Sequence, residues 1–182
     1  MAERISPDTA LERAQAALGD KGRDITLNHG QVDLTCEAAD LVEVVSTLHD
    51  SDGLHYEFFT FLSAVDRTEF GGAEGDKAGG LEVLIHLYSP EHIAHVNIHV
   101  PVDLEAPSCP SITDLFHGAL WHERETHEMF GIDFAGHPRL VNLYLPEDFV
   151  GNPMRKTFKL PGRVIKDWPG AKDPEEAAAG GR

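Results

Sequence analysis

The sequence predicts an α+β fold: a mostly antiparallel sheet with helices on one face, followed by an extended C-terminal tail. Three observations predict it. Residues 81–102 alternate apolar and polar side chains on either side of Ser89-Pro90, the pattern of an antiparallel hairpin with one buried face. Residues 6–19 and 38–49 carry apolar residues at helical spacing. Beyond Phe130 all periodicity disappears while proline recurs at Pro138, Pro146, Pro153, Pro161, Pro169 and Pro174, so that segment can hardly fold on itself.

Taken in order, residues 6–19 read as a short helix with a Ser-Pro start, Leu11, Ala14, Ala17 and Leu18 on one side, and a stop at Gly19. Residues 21–36 alternate weakly through Ile25, Leu27, Val32 and Leu34, which gives two short strands turned at Asn28-His29-Gly30. Residues 38–49 read as a helix despite their β-branched content, because Leu41, Val42, Val44, Val45 and Leu48 keep helical spacing. The aromatic and apolar run 56–65 is a strand. The following residues 66–80 hold five glycines and several charges and form a long hairpin loop. In the hairpin after it, Val83, Ile85 and Leu87 oppose Glu82, Leu84 and His86, and Ala94, Val96, Ile98 and Val100 oppose His95, Asn97 and His99.

The helix expected over 111–130 organises the rest. Ser111 followed three residues later by Asp114 fits a capping box, and Gly131 is the natural stop after Phe130. Ile112, Leu115, Phe116, Ala119 and Leu120 form an apolar stripe, and its continuation brings Glu123, His127 and Phe130 onto the same face. Two readings of the charge at Glu123 stand side by side. Either the helix leaves the core there and Glu123 is solvated, or Glu123, Arg124 and Glu125 are paired and buried against another chain. Arg139 and Arg155 are further cations within the tail's reach. The tail keeps Phe134, Leu140, Leu143, Tyr144, Leu145, Phe149, Phe158 and Ile165, too many apolar residues for a free segment, and is expected to lie on a partner. The chain thus divides into an α+β domain at 1–130, an extended partner-binding tail at 131–170 and a disordered C-terminus at 171–182.

At 182 residues the chain can bury a real core, and a net charge of −16 excludes a nucleic-acid surface or a polybasic membrane patch. Two cysteines, Cys36 and Cys109, cannot ligate an iron–sulfur cluster. The N-terminus has neither a signal core nor a transit composition, and no apolar run approaches the ~20 residues of a membrane span. The chain is expected to be made and kept in the cytoplasm.

Catalytic and metal motifs fail on geometry. The run from His122 to His127 approaches the HExxH zinc motif, but its histidines are five apart and point roughly 140° away from each other on a helix turning about 100° per residue. His95 and His99 are separated by roughly 13 Å on a strand rising about 3.3 Å per residue. No nucleophile elbow, phosphate loop or dinucleotide fingerprint is present. Glu123, Glu125 and Glu128 do not assemble a reacting centre, and Arg124 with Glu128, at i and i+4, is expected to form an ion pair.

Glu123-Arg124-Glu125, then Glu128-Met129-Phe130-Gly131, His137-Pro138 and Gly151-Asn152-Pro153-Met154-Arg155-Lys156 resemble the C subunit of type I NADH:quinone oxidoreductase, respiratory complex I. The similarity is strongest over 121–158. Departures fall at Val141, Asn152 and Thr157, where the family usually has Lys, Arg or Pro, then His, then an acid. The resemblance implies a peripheral-arm subunit of an enzyme complex, without catalytic, cofactor or metal residues of its own. It would pack beside the D and B subunits at the quinone site, with the I subunit as a further candidate neighbour, in a hetero-oligomer peripheral to the cell membrane on its cytoplasmic side. FMN and iron–sulfur clusters would sit in partner subunits, as parts of a proton-pumping NADH:quinone reductase. Residues expected to bind partners are Glu123, Arg124, Glu125, His137, Pro138, Arg139, Arg155 and Lys156. Two alternatives remain open at this point: the corresponding subunit of a membrane-bound hydrogenase, and, from a different class, a free-standing zinc-dependent hydrolase.

Overall fold

A computed structural model describes residues 4–69 and 79–160. The glycine-rich loop, apart from Gly79 and Gly80, and everything after Leu160 lie outside the described residues, and with them the expectation for 171–182.

Helix α1, Pro7–Leu18, begins where Ser6 accepts the Thr9 N–H and ends at Gly19 with φ +52°, close to the predicted limits. Strands β1, Arg23–Asn28, and β2, Gln31–Thr35, form the expected hairpin. Its turn residues His29 and Gly30 both have positive φ, the conformation that a tight hairpin turn matching strand twist demands. A 3-10 turn at Ala38–Asp40 leads into α2, Leu41–Asp50. Strands β3, Phe58–Asp66, β4, Leu81–Ser89, and β5, Ala94–Val102, complete a five-stranded sheet in the order β1-β2-β5-β4-β3. All its pairings are antiparallel except β2 with β5.

Alternation decides which face is covered. Val83, Ile85, Leu87, Val96, Ile98 and Val100 are buried and share a core with Ala10, Ala14 and Leu18 of α1 and with Leu41, Val44, Val45 and Leu48 of α2. The opposite face carries a ladder of rings, Phe61 stacked on His86, His86 on His95, and His95 against Tyr88.

Helix α3 corrects the sequence reading at its start. It spans Ala119–Phe130, not 111–130. Ser111 does not cap it: its N–H donates to the Ala135 carbonyl, extending strand β6, Ser108–Pro110, which pairs in parallel with β7, Asp133–Ala135. The Ser111 hydroxyl instead accepts the Thr113 N–H at 3.2 Å, and turns carry the chain to Gly118 with Ile112 and Phe116 buried. The helix stop is as expected. Gly131 has φ +74° and its N–H donates to the His127 carbonyl.

Candidate docking site on helix α3 and the C-terminal segment

The buried stripe of α3 runs Ala119, Glu123, Thr126 and Phe130, so Thr126 takes the place expected for His127. Glu123 is completely buried, and its Oε1 accepts the Ile112 N–H at 2.8 Å. It is therefore neither solvated nor an ion pair facing another chain. The carboxyl fixes the 111–118 turns from inside. Burial pushes its pKa up, against the opposing pull of the Ser111 hydroxyl, the Ile112 N–H and the charge of His137. Glu125 is on the exposed side of the helix.

Arg124 and Glu128 do not pair with each other; both grip the backbone of the tail. Arg124 Nε donates to the Val141 carbonyl and Nη2 to the Asn142 carbonyl, each at 2.8 Å. Glu128 accepts the next three N–H groups, from Leu143 at 2.9 Å, Tyr144 at 2.9 and 3.2 Å, and Leu145 at 3.2 Å. The carboxylate thus occupies a nest of consecutive amides, an anion-binding arrangement. Asn152 Nδ2 donates to the Glu128 carbonyl, and the Met154 N–H donates to the Met129 carbonyl, which satisfies acceptors at the end of α3. A Cβ on Gly131 would meet Asn152 Oδ1 at 2.7 Å, so this glycine serves both the left-handed turn and the close approach of the tail.

Two further contacts bind the tail to the sheet domain. The Lys156 N–H donates to Asp66 Oδ2 at 2.9 Å, and Arg155 Nη2 donates to the Leu104 carbonyl at 3.0 Å. Burial alone would raise the Asp66 pKa, but hydrogen bonds from Thr68 and Lys156 and the charge of Arg155 carry it below the usual carboxylate range. His137 bonds the Leu120 carbonyl through Nε2 and accepts the Arg139 N–H at Nδ1, setting the turn at Pro138. Phe134 lies in the core. Beyond the expectation that it lies on a partner, the segment's backbone is held by its own domain, because α3 carries acceptors and donors for main-chain groups that no side-chain periodicity reveals. Its side chains remain turned outward, Tyr144 at 65% exposure and Val150 at 88%, with Val141, Phe149 and Met154 also exposed and Trp121 exposed on α3.

Other sequence candidates are absorbed by structure. His122 Nδ1 lies 3.1 Å from the Leu62 carbonyl, while His127 Nδ1 lies 2.9 Å from the Ile132 carbonyl. His95 pairs with His86 across strands, at 3.2 Å between Nδ1 and Nε2, and His99 sits 3.6 Å from Glu82 and 3.9 Å from Asp33. Among the described residues no three His, Cys, Asp or Glu side chains form a metal-ligand group, and no helix is long and apolar enough to cross a membrane. Cys36 and Cys109 are free and buried, their thiols pushed up to about 12 chiefly by burial.

Fold and site define a class: an α+β domain whose last helix clasps an extended segment by its backbone and displays that segment's side chains. The chain belongs to the family described as "Respiratory-chain NADH dehydrogenase, 30 Kd subunit", which matches residues 34–164. A relative in Roseiflexus sp. (strain RS-1), named as the C subunit of NADH-quinone oxidoreductase, is 38% identical over 152 residues, 84% of this chain and 83% of that protein. Another of the same name in Salinispora tropica is 33% identical over 165 residues, 91% of this chain. The chain spans 64% of the length of that relative. Among solved structures, the trypsin-resistant fragment (1-134) of Nqo5 shares the fold with a TM-score of 0.55 at 22% identity, over 73% of this chain and 98% of the fragment.

Proposed function

We propose that this chain is a cofactor-free structural subunit of the peripheral arm of a proton-pumping NADH:quinone oxidoreductase. It packs beside the D and B subunits at the quinone site, with the I subunit as a further neighbour, on the cytoplasmic side of the cell membrane. FMN and the iron–sulfur clusters belong to those and other partner subunits. The observation that carries this reading is the clasped segment 141–156, whose backbone is spent on its own domain while Val141, Tyr144, Phe149, Val150 and Met154 face outward. Exposed aromatic and aliphatic residues held on a fixed backbone suit the centre of a protein interface. Family membership supports the enzyme complex in preference to a hydrogenase and to a free-standing zinc hydrolase.

The test is purification through a tag on this chain in mild detergent, followed by identification of what accompanies it and assay of NADH:quinone reductase activity. The D and B subunits should be recovered with the flavin and cluster absorbance. Recovery of the chain alone, or with hydrogenase subunits, would overturn the proposal.

A further inference from the structure

Beside the clasp lies a groove of about 510 Å³ lined by Arg124, Arg139, Val141, Asn142, Leu145 and Glu147. Its charge is unusual for this molecule. The chain as a whole is at −16, yet here two guanidinium groups face one carboxylate. Arg124 spends Nε and Nη2 on the Val141 and Asn142 carbonyls, which fixes its guanidinium at the groove wall and leaves Nη1 over. The Arg139 side chain is exposed; its main-chain N–H donates to His137 and its carbonyl accepts the Val141 N–H, while its guanidinium has no hydrogen bond or ion pair among the described residues. Resting on the proposed assembly role, we propose that this groove receives an Asp or Glu side chain from a neighbouring subunit of the complex.

The chemistry favours that occupant. An arginine fork matches a carboxylate with two parallel hydrogen bonds, and a guanidinium already oriented by backbone carbonyls loses little freedom in making them. Val141 and Leu145 in its lining supply the apolar surroundings from which a docked partner excludes water, and there such a pair is strongest. An acidic chain also repels a partner's acidic surface except at such a local reversal of sign, so the groove fixes register as well as contact.

The experiment uses arginine modification by phenylglyoxal on the wild-type chain, once free and once in the intact purified complex, with Arg23 as an internal reference. Arg139 should react about tenfold more slowly in the complex, the protection expected of one charged hydrogen-bonded pair. Arg23, which pairs with Glu37 on the chain's own surface, should change little. A second arm replaces Arg139→Lys and treats the complex with a zero-length carbodiimide. The expected product is an amide between position 139 and an Asp or Glu of another subunit, found by peptide mass spectrometry. Equal phenylglyoxal reactivity in both states would overturn the inference, as would an amide to Glu147 alone or the absence of any amide from position 139 to another subunit. Because both arms start from a complex already purified through this chain, their failure leaves the assembly role standing.

Discussion

Replacing Glu128→Ala should release residues 143–145 without unfolding the domain. The carboxylate accepts N–H groups from three successive residues, and hydrogen bonds to a charged group contribute about 1.5–3 kcal/mol each when fully formed. They are not additive, and the amides lie in a half-buried segment where water can replace part of what is lost. A net local cost of about 3 kcal/mol follows, roughly a hundredfold in the opening equilibrium of the segment. The sheet core is untouched, since none of its buried residues contacts this carboxylate through a hydrogen bond among the described residues. Amide hydrogen exchange read by mass spectrometry or NMR on the free chain measures this directly: protection at Leu143, Tyr144 and Leu145 should fall by about two decades, while Ile85 and Ile98 keep theirs. Glu128→Gln retains one acceptor oxygen but turns an NH₂ group toward donors, so it should recover less than half of the effect. Unchanged protection at 143–145 in the Ala variant would refute the argument that this carboxylate holds the segment.

Arg124→Ala removes two bonds to tail carbonyls and should lower the amount of assembled complex while the complexes that form turn over near the wild-type rate; full assembly with activity abolished, measured on the same membranes, would place Arg124 in the chemistry. Gly131→Ala combines a positive φ with a 2.7 Å approach to Asn152 and should cost about 1–3 kcal/mol, seen as a thermal midpoint lower by several degrees. Glu123 has a raised folded-state pKa, so the folded chain binds its proton more tightly than the unfolded one, and stability falls as pH rises from the ordinary carboxylate range through the raised value. Glu123→Gln should remove that slope, and its midpoint relative to wild type should improve from acid to neutral pH in calorimetric scans. Asp66 has the opposite sign: its contribution is present above the ordinary carboxylate range and lost as pH falls through its lowered folded value, so the acid limb survives in the Glu123 variant.

Elements whose cause is local were legible in the sequence. The Ser6 cap, the Asn28-His29-Gly30 turn, the Ser89-Pro90 hairpin and the Gly131 stop each depend on neighbours a few residues away, and each stands where the pattern put it. Ser111 misled because its capping pattern competes with a remote partner: the Ala135 carbonyl takes its N–H, and the segment stays extended. The parallel pairing of β6 with β7 joins short stretches on either side of α3, too short for alternation to mark them. At the site, the sequence shows the residues and hides their partners. Arg124 and Glu128 do share a helix face, which is why their spacing predicts an ion pair between them. What lies on that face is main chain from residues 141–145, and backbone atoms leave no signature in side-chain composition.

The polarity of that arrangement explains why the two residues occur in this order. Positions 124 and 128 lie about 40° apart on a helix turning about 100° per residue, one turn above the other. The tail crosses them with its carbonyls at 141 and 142 and its amides at 143 to 145, so it presents acceptors to the cation first and donors to the anion next. Exchanging the two residues would set a carboxylate against carbonyl oxygens and a guanidinium against N–H groups, with every contact repulsive. Because both grips fall on main-chain atoms, they specify the path of the segment and leave Tyr144 and its neighbours free to suit whatever surface they meet. Position 123 completes the pattern from one residue earlier: it faces inward, where its carboxyl holds the Ile112 amide and keeps the turns before α3 in place, so a single helix fixes the chain on both of its sides.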